Sequence, residues 1–219
     1  MLQPCVYGIV SDPHCRRTGR AVTSCATGSG RTVISIQETF WDFSNRVYRL
    51  PLARDTLLTL QDEHGLDVNL LLCCCWHARN RGRLDPTTIR RALVVSRPWA
   101  EQVVRPLRSA RRWMKTDALG HDTAEEEDSD IGPRQRQLRD RIKALELQAE
   151  RLQQDMLESL SEGPVASLPP RLESQVTDAA HNLQSLLEAS AVPLSDRINE
   201  LLATLVTATL ILPDQEGMR

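Results

Sequence analysis

A chain of 219 residues with 41% hydrophobic side chains can enclose a core, but with only 4% aromatics that core falls to leucine and alanine, which favour helix over sheet. The formal net charge of -2 hides strong local segregation of sign, and no apolar run is long enough for a membrane-spanning helix, so none is expected. Of the six cysteines, Cys73, Cys74 and Cys75 are adjacent and poorly placed to pair with each other, which fits a reducing cytoplasm better than a disulfide framework.

Residues 1–36 lack both period and apolar density and are expected to form a disordered extension. They contain no continuous apolar core of the kind a secretory signal needs. Cys5, Cys15 and Cys25 with His14 are too widely spaced to resemble a zinc ribbon. An early start codon, with translation beginning near Val33, would account for the same stretch.

Regular structure is expected from Gln37. "ETFWDFSNRVYRL" sets Phe40, Phe43, Val47 and Tyr48 on a helical stripe with Trp41 beside it, and Pro51 breaks the helix at Leu50. A second helix through "ARDTLLTLQDEH" stops at Gly65. Asp67 then caps "VNLLLCCCWHARN", which Gly82 closes, and Asp85 with Pro86 opens a fourth helix running to about Lys115. Pro98 and Pro106 should kink that helix without splitting it.

The third helix poses the sharpest chemical question. Cys73 and His77 are four apart and face the same way on a helix, so with His64 and Asp67 folded back they could form a metal- or thiol-dependent site. Against this, cysteine packs as a small apolar side chain, and "VNLLLCCCW" reads as a continuous run for a buried central helix. Gln61, Asp62, His64, Asp67 and Asn69 form a polar junction that either caps helices or offers a binding surface. No nucleophile elbow, phosphate loop, dinucleotide fingerprint or zinc-protease motif occurs. No catalytic residue, cofactor or metal is expected.

At 100° per residue the fourth helix places Ile89, Ala92, Trp99, Val103, Leu107, Ala110 and Met114 on one face. Arg90, Arg97, Arg105, Arg108, Arg112 and Lys115 gather opposite, with eight basic residues and one acid between 90 and 115. Those six cations could bind phosphates of nucleic acid or an acidic partner. The linker 117–132 follows with seven acids and no Lys or Arg as far as Asp130, and it could neutralise the face instead.

The region 133–212 carries a heptad pattern before a short tail, 213–219. Leu138, Ile142, Leu145, Ala149, Leu152 and Met156 alternate spacings of four and three. Leu172, Val176, Ala179, Leu183 and Leu186 do the same, as do Leu194, Ile198, Leu201, Leu205, Ala208 and Leu212. Short breaks between three such helices predict a bundle, with packing inside the chain, a homodimer or a partner helix as the seam's use.

"FWDFSNRVYRLP", "LQDEHGLDVNLLLCCCWHA", "RPWAEQVVRPLRSARRWMK" and "KALELQAERLQQDML" together resemble an uncharacterised proteobacterial family. Its pattern is Trp-x-Phe followed by Leu-Gln-Asp-x-x-Gly-x-Asp-Val-Asn-Leu-Leu-Leu, matched over about 37–160. The resemblance implies a small cytosolic all-helical bacterial protein and transfers no activity. Members that carry Phe or Leu where this chain has cysteines favour packing over chemistry.

The expectation is therefore an all-α helical bundle: a disordered extension 1–36, a helical domain 37–116, an acidic linker 117–132 and heptad helices 133–212. Its expected role is that of a non-catalytic cytoplasmic accessory protein acting through helical surfaces on a protein partner, with a homodimer open and no membrane contact. The alternatives are a nucleic-acid- or ribosome-associated factor using the basic helix, and a metal- or thiol-dependent enzyme at His64, Cys73 and His77.

Overall fold

The computed structural model describes residues 38–114, 131–161 and 170–211, and among these it is all helix. The expected extension, Lys115, most of the acidic linker and the tail lie outside the described residues. In chain order come α1 (Phe40–Arg49), α2 (Pro51–His64), α3 (Val68–Asn80) and α4 (Pro86–Trp99). A π-helical turn (Ala100–Val104) leads into α5 (Arg105–Trp113), followed by α6 (Ile131–Leu160), α7 (Leu172–Ala189) and α8 (Asp196–Val206). A second π-helical turn (Thr207–Ile211) ends the described chain. Helix α6 starts at Ile131, inside the stretch read from sequence as linker.

Local chemistry sets these boundaries. Thr39 accepts the Asp42 amide at 3.1 Å to open α1, and Asp85 accepts the amides of Thr87 and Thr88 to open α4. Gly65, at φ 68°, lets its own N–H reach Gln61 O and the Leu66 N–H reach Leu60 O, which closes α2. Two residues later Asp67 accepts the Asn69 amide at 2.8 Å and starts α3. The α2–α3 turn is thereby compact, and its polar residues are held rather than splayed into solvent.

Helix α3 is the central element, as its unbroken apolar run predicts. Every residue from Val68 to Asn80 except Arg79 is buried, including Cys73, Cys74 and Cys75. One apolar cluster joins Phe40, Phe43, Leu57, Leu71 and Trp76 to Leu157, Leu183, Leu187 and Leu205. The regions 37–116 and 133–212 thus share one interior. Helix α7 is pinned to α3 by Asn182, fully buried, whose side-chain N–H donates to Cys74 O and Gly82 O and whose Oδ1 accepts the Leu84 amide.

Two helices depart from the faces their sequence period indicates. On α6, the seam residues Leu138, Leu145 and Leu152 are 50%, 51% and 47% exposed, whereas Glu146, Ala149, Glu150, Gln153, Gln154 and Leu157 are buried. Of the heptad seam only Ala149 is buried, so its leucines do not lie on the inward side of this helix. On α4–α5 the apolar face begins as expected with Ile89 and Ala92, but from the end of the π-helical turn onward Val104 and Arg111 are buried and Ala110 is exposed. Arg105 N–H reaches back to Ala100 O, five residues away, so the turn takes one residue more than an α-turn. Everything after it slips by one: Val104 is buried in place of Val103 and Arg111 in place of Ala110, and Arg108 turns to Glu146 beside a partly buried Leu107. Pro106 explains the position, because its ring would clash with the carbonyl of Gln102 in an unbroken α ladder.

Candidate functional site

The slip at the π-helical turn builds a cleft of about 390 Å³ between the α2–α3 junction, the π-helical turn, α5 and α6. Gln61, Asp62, Asp67 and Asn69 line one side, Arg105, Arg108 and Arg112 another, and Gln153 and Glu150 come up from α6. Two groups of residues that the sequence presents as separate candidates thus converge here.

The floor is a connected polar network. Asn69 Nδ2 donates to Gln153 Oε1 at 2.8 Å, and Gln153 Nε2 donates to Asp67 Oδ2 at 3.0 Å and Ser96 Oγ at 2.6 Å. Ser96 in turn donates to Asp67 Oδ2, and Gln154 donates to Asn69 Oδ1. Asn69, Ser96, Gln153 and Gln154 are all buried, and these bonds offset much of the cost of removing them from water, with Gln154 Oε1 left without a partner among the described residues.

Beside the floor sits an ion cluster. Arg108 donates to Glu146 at 3.0 Å, to Glu150 at 2.6 Å and to Gln61 at 3.3 Å, and Arg111 also grips Glu146. Burial works against the Glu146 carboxylate, but its bonds from Arg111 and Arg108 outweigh it and hold the pKa below the ordinary value. For Glu150 burial dominates over the single guanidinium it shares and pushes the carboxyl up. Burial likewise opposes the Arg108 charge, which Glu150 and Glu146 more than restore.

The expected basic face is divided by this arrangement. Arg90, Arg97 and Arg105 are exposed, Arg108 is committed to two carboxylates, and Arg112 is partly buried at the cleft wall. Arg108 is thus withdrawn from the outer face, because the π-helical turn rotates it inward. His64, partly buried, does not line the cleft.

The metal- and thiol-bearing alternative finds a different environment. Burial pushes Cys73 and Cys75 up to about 12 and raises Cys74 as well, so these side chains are uncharged thiols. His77 holds its Nδ1 2.9 Å from Gly82 O, a bond that places the proton on that nitrogen. Among the described residues, no group of three or more His, Cys, Asp and Glu is placed to hold a metal ion.

Residues 39–157, more than half of the sequence and the whole of α1–α5, match a single family. The chain belongs to DUF2390, a family of proteins of unknown function. Neither a curated protein nor a solved structure matches it. The matched span contains every residue that lines the cleft and ends at Leu157, one residue before Glu158, whose carboxylate accepts the Phe40 amide at 3.1 Å. Helices α7 and α8 lie beyond it, although α3 packs along α7. Among the described residues, no helix is long and apolar enough to cross a membrane.

Ser96, Arg111, Glu146, Glu150, Gln153 and Gln154 were not singled out by sequence reasoning. The acids and glutamines fall between the leucines of the α6 heptads, where such residues ordinarily face water. Their one signature is the spacing of Glu146, Glu150, Gln153 and Leu157, which is itself a helical stripe.

Proposed function

We propose that the chain is a non-catalytic accessory protein of a proteobacterial cytosol that works by presenting helical surfaces to another protein. The observation that supports this is the α6 stripe. Leu138, Leu145 and Leu152 stand about half exposed at heptad spacing, with Ile142 and Met156 partly covered beside them and Ala149, between Leu145 and Leu152, buried. The opposite side of α6 is committed to the polar network and ion cluster, so the leucines face out by construction. A regular seam of this kind suits knobs-into-holes packing by another helix.

Charge selects the first occupant to test. Arg141 and Asp155, both exposed, flank the stripe at positions fourteen residues apart. Antiparallel pairing of two α6 helices sets Arg141 of each copy against Asp155 of the other, so a second copy of this chain fits the seam. The wild type should then sediment as a dimer, and Leu145→Glu with Leu152→Glu as a helical monomer. Arg141→Asp should weaken the dimer and the added Asp155→Arg should restore it. A monomeric wild type whose nuclease-treated pull-down is unchanged by the leucine substitutions would reject the reading.

A second reading rests on Arg90, Arg97 and Arg105, which stay exposed on α4 and α5. They suit phosphates of nucleic acid or of a ribosomal surface, bound without sequence preference. Duplex binding should weaken steeply with salt and vanish when all three are changed to Glu, while helicity is kept. Binding indifferent to that triple substitution would remove it.

A further inference from the structure

Most of the polar lining of the cleft is already engaged, and what remains is the exposed Asp62 carboxylate at the rim and two arginines. Asp67 already accepts from the Asn69 amide, Ser96 and Gln153, and Asn69 is engaged through both ends of its amide. Arg108 is taken up by Gln61, Glu146 and Glu150. Arg112 differs. It is partly buried in the wall, and among the described residues it has no hydrogen bond or ion pair. Arg105, on the same side of α5, has only an exposed contact to Glu101 at 3.9 Å. Positions 105, 108 and 112 follow the three- and four-residue spacing that puts side chains on one helix face.

A guanidinium in the cleft wall that no carboxylate of the described residues engages keeps its donors available for a ligand. Burial, then the neighbouring Arg108 and Arg111, hold the Arg112 pKa below its ordinary value, and Asp62 and Glu146 offset only part of this. An oxyanion in the cleft would supply the missing counter-charge, and the planar guanidinium fork fits carboxylate and phosphate oxygens in pairs. The cleft volume of about 390 Å³ falls within the range of small-molecule sites.

We propose that the cleft binds a small oxyanion-bearing molecule, a phosphate or a carboxylate, held by Arg112 and Arg105 above the polar floor of Asp67, Asn69 and Gln153. The site is separate from the α6 seam, so a Leu145→Glu protein should bind the anion unchanged.

Calorimetry and thermal unfolding of the full chain, in a buffer free of phosphate and carboxylate, test this with inorganic phosphate, pyrophosphate and citrate. At least one anion should bind one-to-one, with pyrophosphate against citrate separating the two chemistries. Arg112→Met should weaken binding by about tenfold or more, the loss expected for a charge-assisted hydrogen bond. Arg90→Glu with Arg97→Glu should not weaken it. A second readout needs no ligand: relieved of an unmatched charge, Arg112→Met should melt at or above the wild-type temperature without anion, and below it with saturating anion. Equal stabilisation of wild type and Arg112→Met by all three anions overturns the proposal, as does the absence of binding by any of them at millimolar concentration.

Discussion

His77 shows how a single buried side chain makes stability depend on pH. Burial lowers its pKa from the ordinary 6.5, against a smaller upward pull from its bond to Gly82 O. The unfolded chain therefore takes up a proton at a pH where the folded one does not. Stability from this residue is fully present above about pH 6.5 and is lost as pH falls through the depressed folded value. His77→Asn keeps an N–H donor near the position of Nδ1 but cannot titrate. Urea denaturation between pH 7 and pH 5 should show a shallower loss of stability in that variant than in the wild type. An unchanged slope would place the pH dependence elsewhere.

At the scale of the element, one extra residue in a helix decides which side chains meet. The spacing in the sequence already assigns α4 its buried face, Ile89 and Ala92, and the two prolines already mark a distortion. What they leave open is the size of the distortion, because a bend and a one-residue π insertion both accommodate a proline. Only the insertion brings Arg108 and Arg111 to Glu146. Inserting an alanine after Pro106 should advance α5 by one more residue, turn Leu107 and Ala110 inward and leave Glu146 buried without its arginines. The expected loss is about 3–5 kcal/mol, the usual cost of breaking a buried ion pair from one side. Adding Glu146→Leu and Glu150→Leu to the insertion should recover much of it in chemical denaturation. An insertion variant as stable as the wild type would show that the one-residue register is not what holds the cluster.

For the whole molecule, α3 is the reference. Its apolar run has no polar side to face water, so it must be covered all round. Helices α1, α2, α4 and α6 cover part of it, and α7 with the second π-helical turn covers the rest. Cys74 bonds to the Asn182 carbonyl, and the Cys75 thiol is met by Thr209. A fragment of residues 38–161, close to the span that matches the family, should therefore lack cooperative unfolding and bind a hydrophobic dye despite high helix content. A sharp two-state melt of that fragment would show that the matched span folds without α7.

The sequence by itself determined the helices, their caps at Thr39, Asp67 and Asp85, the left-handed stop at Gly65 and the burial of α3. Each of these depends on neighbours within a few residues, where period and capping chemistry act. The convergence of Gln61, Asp67 and Asn69 with Arg105, Arg108 and Arg112, and the inward turn of Glu146, Glu150 and Gln153, were decided only by the tertiary structure. A carboxylate or glutamine among heptad leucines is read as solvated because burial costs it dearly when alone. Partners from helices 35 to 86 residues away in the chain remove that cost, and no local pattern records where such partners will come from.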